Sequence, residues 1–390
     1  MNKNRMLVCL AGAASFLVLC ILQASPALSP SEMMIPFELK GYLILVKCRV
    51  NDSQAAYDFI VDTGGRTFID KTLADELQLK QRGPMAKINR LAMGSTSFEN
   101  VFVLTQFDFS QFKRSCGLTI QGMIGSDFLD DYTVTIDYRK QRLILSSGKE
   151  SFAEQNQKSG KGYFIKFAKH PINNSPMIKC KLNGEIEVQA MIDTGQPFPL
   201  VLPLGFLETT GALNQKETLR AKGVIVKWPY TKGEDNYLSR IRSLEAGSLT
   251  VRNIATFYAE LPAMLSVPLL GKDFLSRFWV QINYPKCEIL LLPEAGQKDE
   301  ENVFSTGLAV KMDADNNVVV RGIWEKSPAD RAGIEVGNRI LEFNSKKLTP
   351  ESFPQFSLLL QDERVKTIEV LAQNNDIRRK VVLKKEYLLK

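Results

Sequence analysis

Two stretches of this chain are suited to carry reactive groups. Phe59-Ile60-Val61-Asp62-Thr63-Gly64-Gly65 and Ala190-Met191-Ile192-Asp193-Thr194-Gly195-Gln196 are each an apolar run that ends in Asp-Thr-Gly. Such a run reads as a buried strand entering a tight loop. The glycine permits positive φ or a close backbone approach that other residues tolerate poorly. A strand end fixes the place of each carboxylate. Two carboxylates held face to face cannot both ionise easily, so they share a proton and offer an acid and a base in one site. Asp62 and Asp193 are therefore the candidate catalytic pair.

The rest of the composition removes competing chemistries. The chain has one histidine, His170, which precedes Pro171 in a polar, turn-rich stretch. A serine or cysteine nucleophile with a histidine base would have to use it, and no nucleophile-elbow sequence occurs. Histidine-based zinc hydrolysis is excluded on the same count, and no cysteine spacing suits zinc. Neither a metal nor an organic cofactor is expected. Lys and Arg number 50 against 43 Asp and Glu, a formal charge of +7. The basic residues are scattered, with only short runs such as Arg378-Arg379-Lys380 and no basic stripe interleaved with aromatics. Nucleic acid is not an expected partner.

The N-terminus carries Lys3 and Arg5, an apolar run from Met6 to Leu22, and then Gln-Ala-Ser-Pro-Ala. That is the pattern of a secretory signal, assigned to residues 1–27. It predicts an exported protein, periplasmic or extracellular. The alternative is an uncleaved N-terminal anchor, which would be its sole membrane contact; no other apolar stretch is long enough to span a bilayer. Beyond the signal lie Cys48, Cys116, Cys180 and Cys287. In an oxidising compartment they allow three pairings, and buried free thiols are the other reading.

The elements that must position the two aspartates occur twice. Lys47-Cys48-Arg49-Val50 corresponds to Lys179-Cys180-Lys181-Leu182. Gly94-Ser95 and Asn100 correspond to Gly247-Ser248 and Asn253. Ile124-Gly125-Ser126-Asp127-Phe128-Leu129 corresponds to Leu270-Gly271-Lys272-Asp273-Phe274-Leu275. Ile136-Asp137-Tyr138 corresponds to Ile282-Asn283-Tyr284. With the Asp-Thr-Gly pair, these matches keep chain order, which implies a duplicated unit related by a pseudo-twofold axis. The expected division is a first unit over 28–148, a linker over 149–161, a second unit over 162–293, a linker over 294–302 and a third segment over 303–390. Asp70 caps a predicted short helix in the first unit. The second unit has an insert around 224–238 with Trp228-Pro229-Tyr230.

The two units resemble the retropepsin-like aspartic proteases, particularly the exported bacterial branch. Each Asp-Thr-Gly is followed by an apolar-apolar-Gly segment, Met123-Ile124-Gly125 and Leu269-Leu270-Gly271, and the resemblance covers roughly Ile35 to Leu292. It implies a mainly β chain whose two duplicated lobes form one cleft. It implies that Asp62 and Asp193 bind a water that attacks a peptide carbonyl. Thr63 and Thr194 would bond across the pseudo-twofold, and Gly64 and Gly195 would bring backbone N–H groups to the carboxylates. Two positions depart from the family: Gly65 and Gln196 stand where a hydroxyl residue or alanine is usual. The lost hydroxyls predict weaker support for the ionised carboxylates and an activity optimum less acidic than pepsin's. Gln196, with Pro197 and Pro199, is also expected to crowd the cleft. The insert around 224–238 is the expected flap.

The third segment resembles a bacterial protease-associated PDZ domain, a β-barrel with two short helices. Ser327-Pro328-Ala329 through Ala332-Gly333 and Gly337-Asn338-Arg339-Ile340 carry the likeness, with Asn338 in place of the usual Asp. Thr306-Gly307-Leu308-Ala309 sits where such domains hold a peptide carboxylate, so Gly307 and Leu308 are the candidate peptide-binding residues. The ligand would add a strand beside Leu308 to Met312. The implied function is an exported aspartic endopeptidase acting on peptides or proteins, with a PDZ domain that binds peptide termini or regulates access. The alternative is a catalytically inactive peptide-binding protein whose working part is the PDZ domain.

Overall fold

A computed structural model describes residues 32–147, 151–153, 162–226, 233, 235–262, 266–294 and 302–390. The expected signal, most of both expected linkers and Trp228-Pro229-Tyr230 lie outside the described residues. The chain is mainly β, as the family resemblance implies. No helix among the described residues is long and apolar enough to cross a membrane.

The first part begins with β1 (Glu32–Pro36), β2 (Leu43–Val50) and β3 (Tyr57–Asp62). Strands β2 and β3 pair as a hairpin across Asn51-Asp52-Ser53. The predicted helix is α1 (Lys71–Glu76), with the Asp70 side chain accepting the Leu73 N–H. Next come β4 (Met85–Met93), β5 (Thr96–Leu104), α2 (Ser110–Cys116), β6 (Gly122–Gly125), α3 (Ser126–Leu129), β7 (Thr133–Asp137) and β8 (Arg142–Ser146). Strand β6 runs parallel to β3 and sets Gly125 opposite Asp62.

The second part holds β9 (Tyr163–Lys169), β10 (Pro176–Leu182), β11 (Ile186–Ile192), β12 (Leu200–Pro203) and β13 (Leu219–Gly223). It continues through β14 (Asn236–Ala246), β15 (Leu249–Ala259), β16 (Leu269–Leu270), α4 (Lys272–Leu275), β17 (Phe278–Asn283) and β18 (Glu288–Pro293). Its pairings repeat those of the first part. Strands β10 and β11 pair antiparallel like β2 and β3; β11 and β16 pair parallel like β3 and β6. The long hairpin β14–β15 matches β4–β5. The paired sequence signals sit at equivalent turns: Gly94 and Gly247 have φ of 59° and 57°, Asn100 and Asn253 of 56° and 52°.

An antiparallel sheet beneath joins the two parts in the order β1, β8, β7, β17, β18, β9. Its centre is the β7–β17 pair, where Val134 faces Ile282 and Ile136 faces Val280. All four side chains are buried in one apolar core that runs through both parts. Burial of four such aliphatic side chains stabilises this seam by several kcal/mol, at roughly 1.5–3 kcal/mol each. Part of the expected linker is docked rather than free. Phe152 is buried, and its N–H and the Ser151 hydroxyl both donate to the Glu288 carboxylate.

The third part contains β19 (Leu308–Met312), β20 (Val318–Trp324), α5 (Pro328–Arg331), β21 (Arg339–Phe343), α6 (Phe353–Gln361), β22 (Thr367–Asn374) and β23 (Ile377–Lys384). Ser327 caps α5 with proline at the first helical position, as the sequence predicts. Strand β20 also pairs with β13 of the second part, with Gly223 opposite Gly322. Gly322 is required there, since a Cβ would stand 2.5 Å from the Val224 carbonyl oxygen. Gly322→Val should push the two strands apart at a cost of about 1–3 kcal/mol. We expect small-angle scattering to show a larger radius of gyration and limited proteolysis to release the third part. Wild-type scattering and digestion would contradict this account.

Candidate active site

Each aspartate stands at the end of an apolar strand whose neighbours bury it. Asp62 ends β3, and Asp193 directly follows β11. The glycine of each apolar-apolar-Gly segment packs closely against the loop of its own half. A Cβ on Gly271 would stand 2.5 Å from the Gln196 carbonyl oxygen, and one on Gly125 would stand 2.5 Å from that of Gly65. Glycine alone allows this approach.

The two loops are clasped through their threonines. Thr63 N–H donates to Thr194 Oγ1 at 3.0 Å, and Thr194 N–H donates to Thr63 Oγ1 at 3.1 Å. Each hydroxyl donates onward to a strand carbonyl of the opposite half, Thr63 to Ile192 at 2.8 Å and Thr194 to Val61 at 2.9 Å. Both threonines are fully buried, so all these donors and acceptors are satisfied away from water.

The clasp sets the carboxylates together. Asp62 Oδ1 accepts the Gly64 N–H at 2.8 Å, and Asp193 Oδ1 accepts the Gly195 N–H at 2.9 Å. A Cβ on Gly64 would stand 2.5 Å from Asp193 Cγ, and one on Gly195 would stand 2.5 Å from Asp62 Oδ2. Each carboxylate thus fills the space that the opposite glycine leaves. Burial raises the Asp62 pKa above the ordinary carboxylate value, while the Gly64 N–H and the Asp193 carboxyl pull it back. Burial, and then the charge of Asp62, push Asp193 well above that value. Two carboxyls this close titrate together rather than independently.

The two halves support the pair unequally. Ser126 Oγ donates to the Thr63 carbonyl and lies 2.7 Å from the Tyr284 hydroxyl, while the equivalent of Ser126 in the second half is Lys272. Asn173 Nδ2 donates to the Gly64 carbonyl at 2.7 Å. Sequence reasoning passed over Ser126, Tyr284 and Asn173; the repeated Ile-Asp-Tyr and Ile-Asn-Tyr was the available signal for the tyrosine. A side chain on Gly65 would touch Asp62 Oδ2, at 3.1 Å from its Cβ. Gln196 does not protrude as expected. It is buried, and its Oε1 turns back to accept the Phe198 N–H at 2.8 Å. Among the described residues, no side-chain hydroxyl bonds to the Asp62 or Asp193 carboxylate.

The pair opens onto a cavity of about 2250 Å³. Its walls include Asp62, Asp193, Tyr42, Gln196 and Ile225, together with Gly307 to Met312 and Arg321 of the third part. The predicted peptide-binding residues Gly307 and Leu308 therefore share a cavity with the aspartates. Ser305 Oγ accepts the Gly307 N–H at 3.0 Å, and Leu308 is buried at the start of β19. Helix α2 lies against both β19 and α6, where an added peptide strand would lie. Cys48, Cys116, Cys180 and Cys287 are all free thiols. Among the described residues no His, Cys, Asp or Glu cluster could hold a metal ion.

The family described as PDZ domain matches residues 319–371. No curated protein matches the chain. Among solved structures, the chain is similar to the crystal structure of basic 7S globulin from soybean, at 10% identity and a TM-score of 0.39, over 68% of this chain and 97% of that one. The third part carries a PDZ domain.

Proposed function

We propose that the chain is an exported aspartic endopeptidase of two duplicated acid-protease lobes, over 28–148 and 162–293, with a PDZ domain over 303–390. One observation carries this reading: a half-buried and a buried carboxylate, each held by its own loop glycine, set face to face by exchanged threonine hydrogen bonds. The recurrence of the β2–β3–β6 pairings in β10–β11–β16 supports the duplicated lobes.

The chemistry follows from the shared proton. Asp62, whose charge the Gly64 N–H supports, takes a proton from a water lying between the carboxyls. Asp193, more deeply buried, keeps its proton and donates a hydrogen bond to the peptide carbonyl. The water oxygen bonds to the carbonyl carbon, and the proton on Asp193 passes to the carbonyl oxygen, giving a gem-diol. The C–N bond then breaks as the proton held on Asp62 moves to the leaving nitrogen. A diol proton returns to Asp193, and a carboxylic acid and an amine leave. No covalent intermediate and no metal are needed.

Digestion of a broad peptide library between pH 3 and 8 tests this. We expect cleavage, a bell-shaped pH profile, and an acid limb displaced upward from the ordinary Asp range, because burial raises both carboxyls. Asp62→Asn and Asp193→Asn should each reduce cleavage by at least ~10³-fold, the scale of lost acid–base catalysis, with the fold retained. A maximum near pH 3 would overturn the pH argument. Absence of cleavage across the library would favour the inactive peptide-binding protein.

The raised pKa also has a stability consequence. The folded pair holds its proton to higher pH than the unfolded chain does. The associated stability is therefore full below the unfolded value, and it is lost as pH rises through the folded one. Asp193→Asn removes that loss. Relative to wild type the variant should gain stability from pH 4 to pH 8. Calorimetric melting at the two pH values reads this difference; a constant difference would refute it.

A further inference from the structure

Arg321 stands in an unusual place. Strands β19 and β20 pair Ala309 with Gly322 and then Val310 with Val320, so Arg321 is the extra residue of a β-bulge. A bulge bends its strand and re-aims the unpaired residue. Here the Arg321 carbonyl accepts the Val224 N–H at 2.8 Å, and its side chain lines the cavity that holds Asp62 and Asp193. One guanidinium nitrogen, Nη2, donates to the Ile225 carbonyl at 2.9 Å. The Nε–H is buried with no partner among the described residues. No carboxylate among the described residues forms an ion pair with Arg321. The groups whose charge would act on it most are Tyr42 and Cys116, and burial raises the pKa of both, so both are neutral at neutral pH. A guanidinium remains charged in proteins, and an unpaired buried charge is costly. Its planar fork matches a carboxylate, which would satisfy both the charge and the unused donors.

We propose that Arg321 forms a carboxylate subsite in the substrate cleft, so that the preferred peptides carry an anionic group there. The inference rests on the protease reading above and narrows its substrate class. The carboxylate belongs either to the peptide's C-terminus or to an Asp or Glu side chain. The third part thereby contributes a specificity residue to the cleft.

Fluorescein-labelled decapeptides test it by anisotropy. Each is made with a free and an amidated C-terminus, and each with Glu or Gln scanned through the sequence. They are titrated onto the full-length Asp193→Asn protein, so that binding is read without cleavage. At least one carboxylate form should bind about 10- to 100-fold more tightly than its neutral counterpart, the range for a charge-assisted bond. Loss of the preference on amidation assigns the C-terminus, and loss on Glu→Gln assigns a side chain. Adding Arg321→Gln should abolish the preference while leaving the neutral peptides within twofold. The proposal is overturned if carboxylate and neutral peptides bind alike with Arg321 present, an outcome that needs no arginine variant to fold. It is also overturned if the preference survives Arg321→Gln. Absence of cleavage by the wild type would count against the protease reading alone, because the subsite is read by binding.

Discussion

The structure depends on holding two like-charged groups together in a buried place. Left alone, two ionised carboxylates at this separation would push their loops apart. The threonine clasp resists this with four buried hydrogen bonds that cross between the halves. Each such bond contributes only about 1 kcal/mol net. Their larger effect is that separating the loops would leave six buried polar groups unpaired, each at about 1–3 kcal/mol. The sheet centred on β7 and β17 supplies the apolar seam below, so the clasp does not have to join the halves by itself.

A symmetric scaffold makes an asymmetric site through a few unequal neighbours. The backbone around Asp62 and Asp193 is equivalent, down to the glycine N–H on each carboxylate. The surroundings are not. Ser126 and Tyr284 brace the first loop from behind, whereas Lys272 occupies the position matching Ser126. Gly65 leaves Asp62 more open, while Gln196 is folded into the wall beside Asp193. Such differences give the two carboxyls unequal environments, which a perfectly twofold site would not.

Much of this was legible in the sequence because local rules and duplication agreed. Asp62, Asp193 and their Thr-Gly partners were readable from two apolar runs with the same ending, and the turn residues Gly94, Asn100, Gly247 and Asn253 from their matched spacing. Asp70 and Ser327 behave as the caps their types predict. What was not legible depends on long-range placement. Asn173 reaches Gly64 from far along the chain, in a turn that carries no periodic signal. Phe152 lies in a polar stretch that reads as linker, and only Glu288, 136 residues away, explains its burial. Gln196 looked obstructive because the hydrogen bond its Oε1 accepts from the Phe198 N–H is a product of the loop's final shape.

The third part was the least legible, for a physical reason. A PDZ domain read from sequence is a self-contained unit with its own core, and such a core is present. Nothing in its local pattern says that β20 will also pair with β13, since strand pairing between distant segments leaves no periodic mark on either. Yet that pairing, made possible by Gly322, brings β19 and the β20 bulge to the wall of the cleft. Trp324, at the end of β20, is buried in a cluster with Phe257 and Val201 of the second part, so the contact is apolar as well as hydrogen-bonded. A domain joined only by a linker would change the local concentration of a peptide. One that shares a sheet and an apolar cluster with the second part also forms part of the cavity wall.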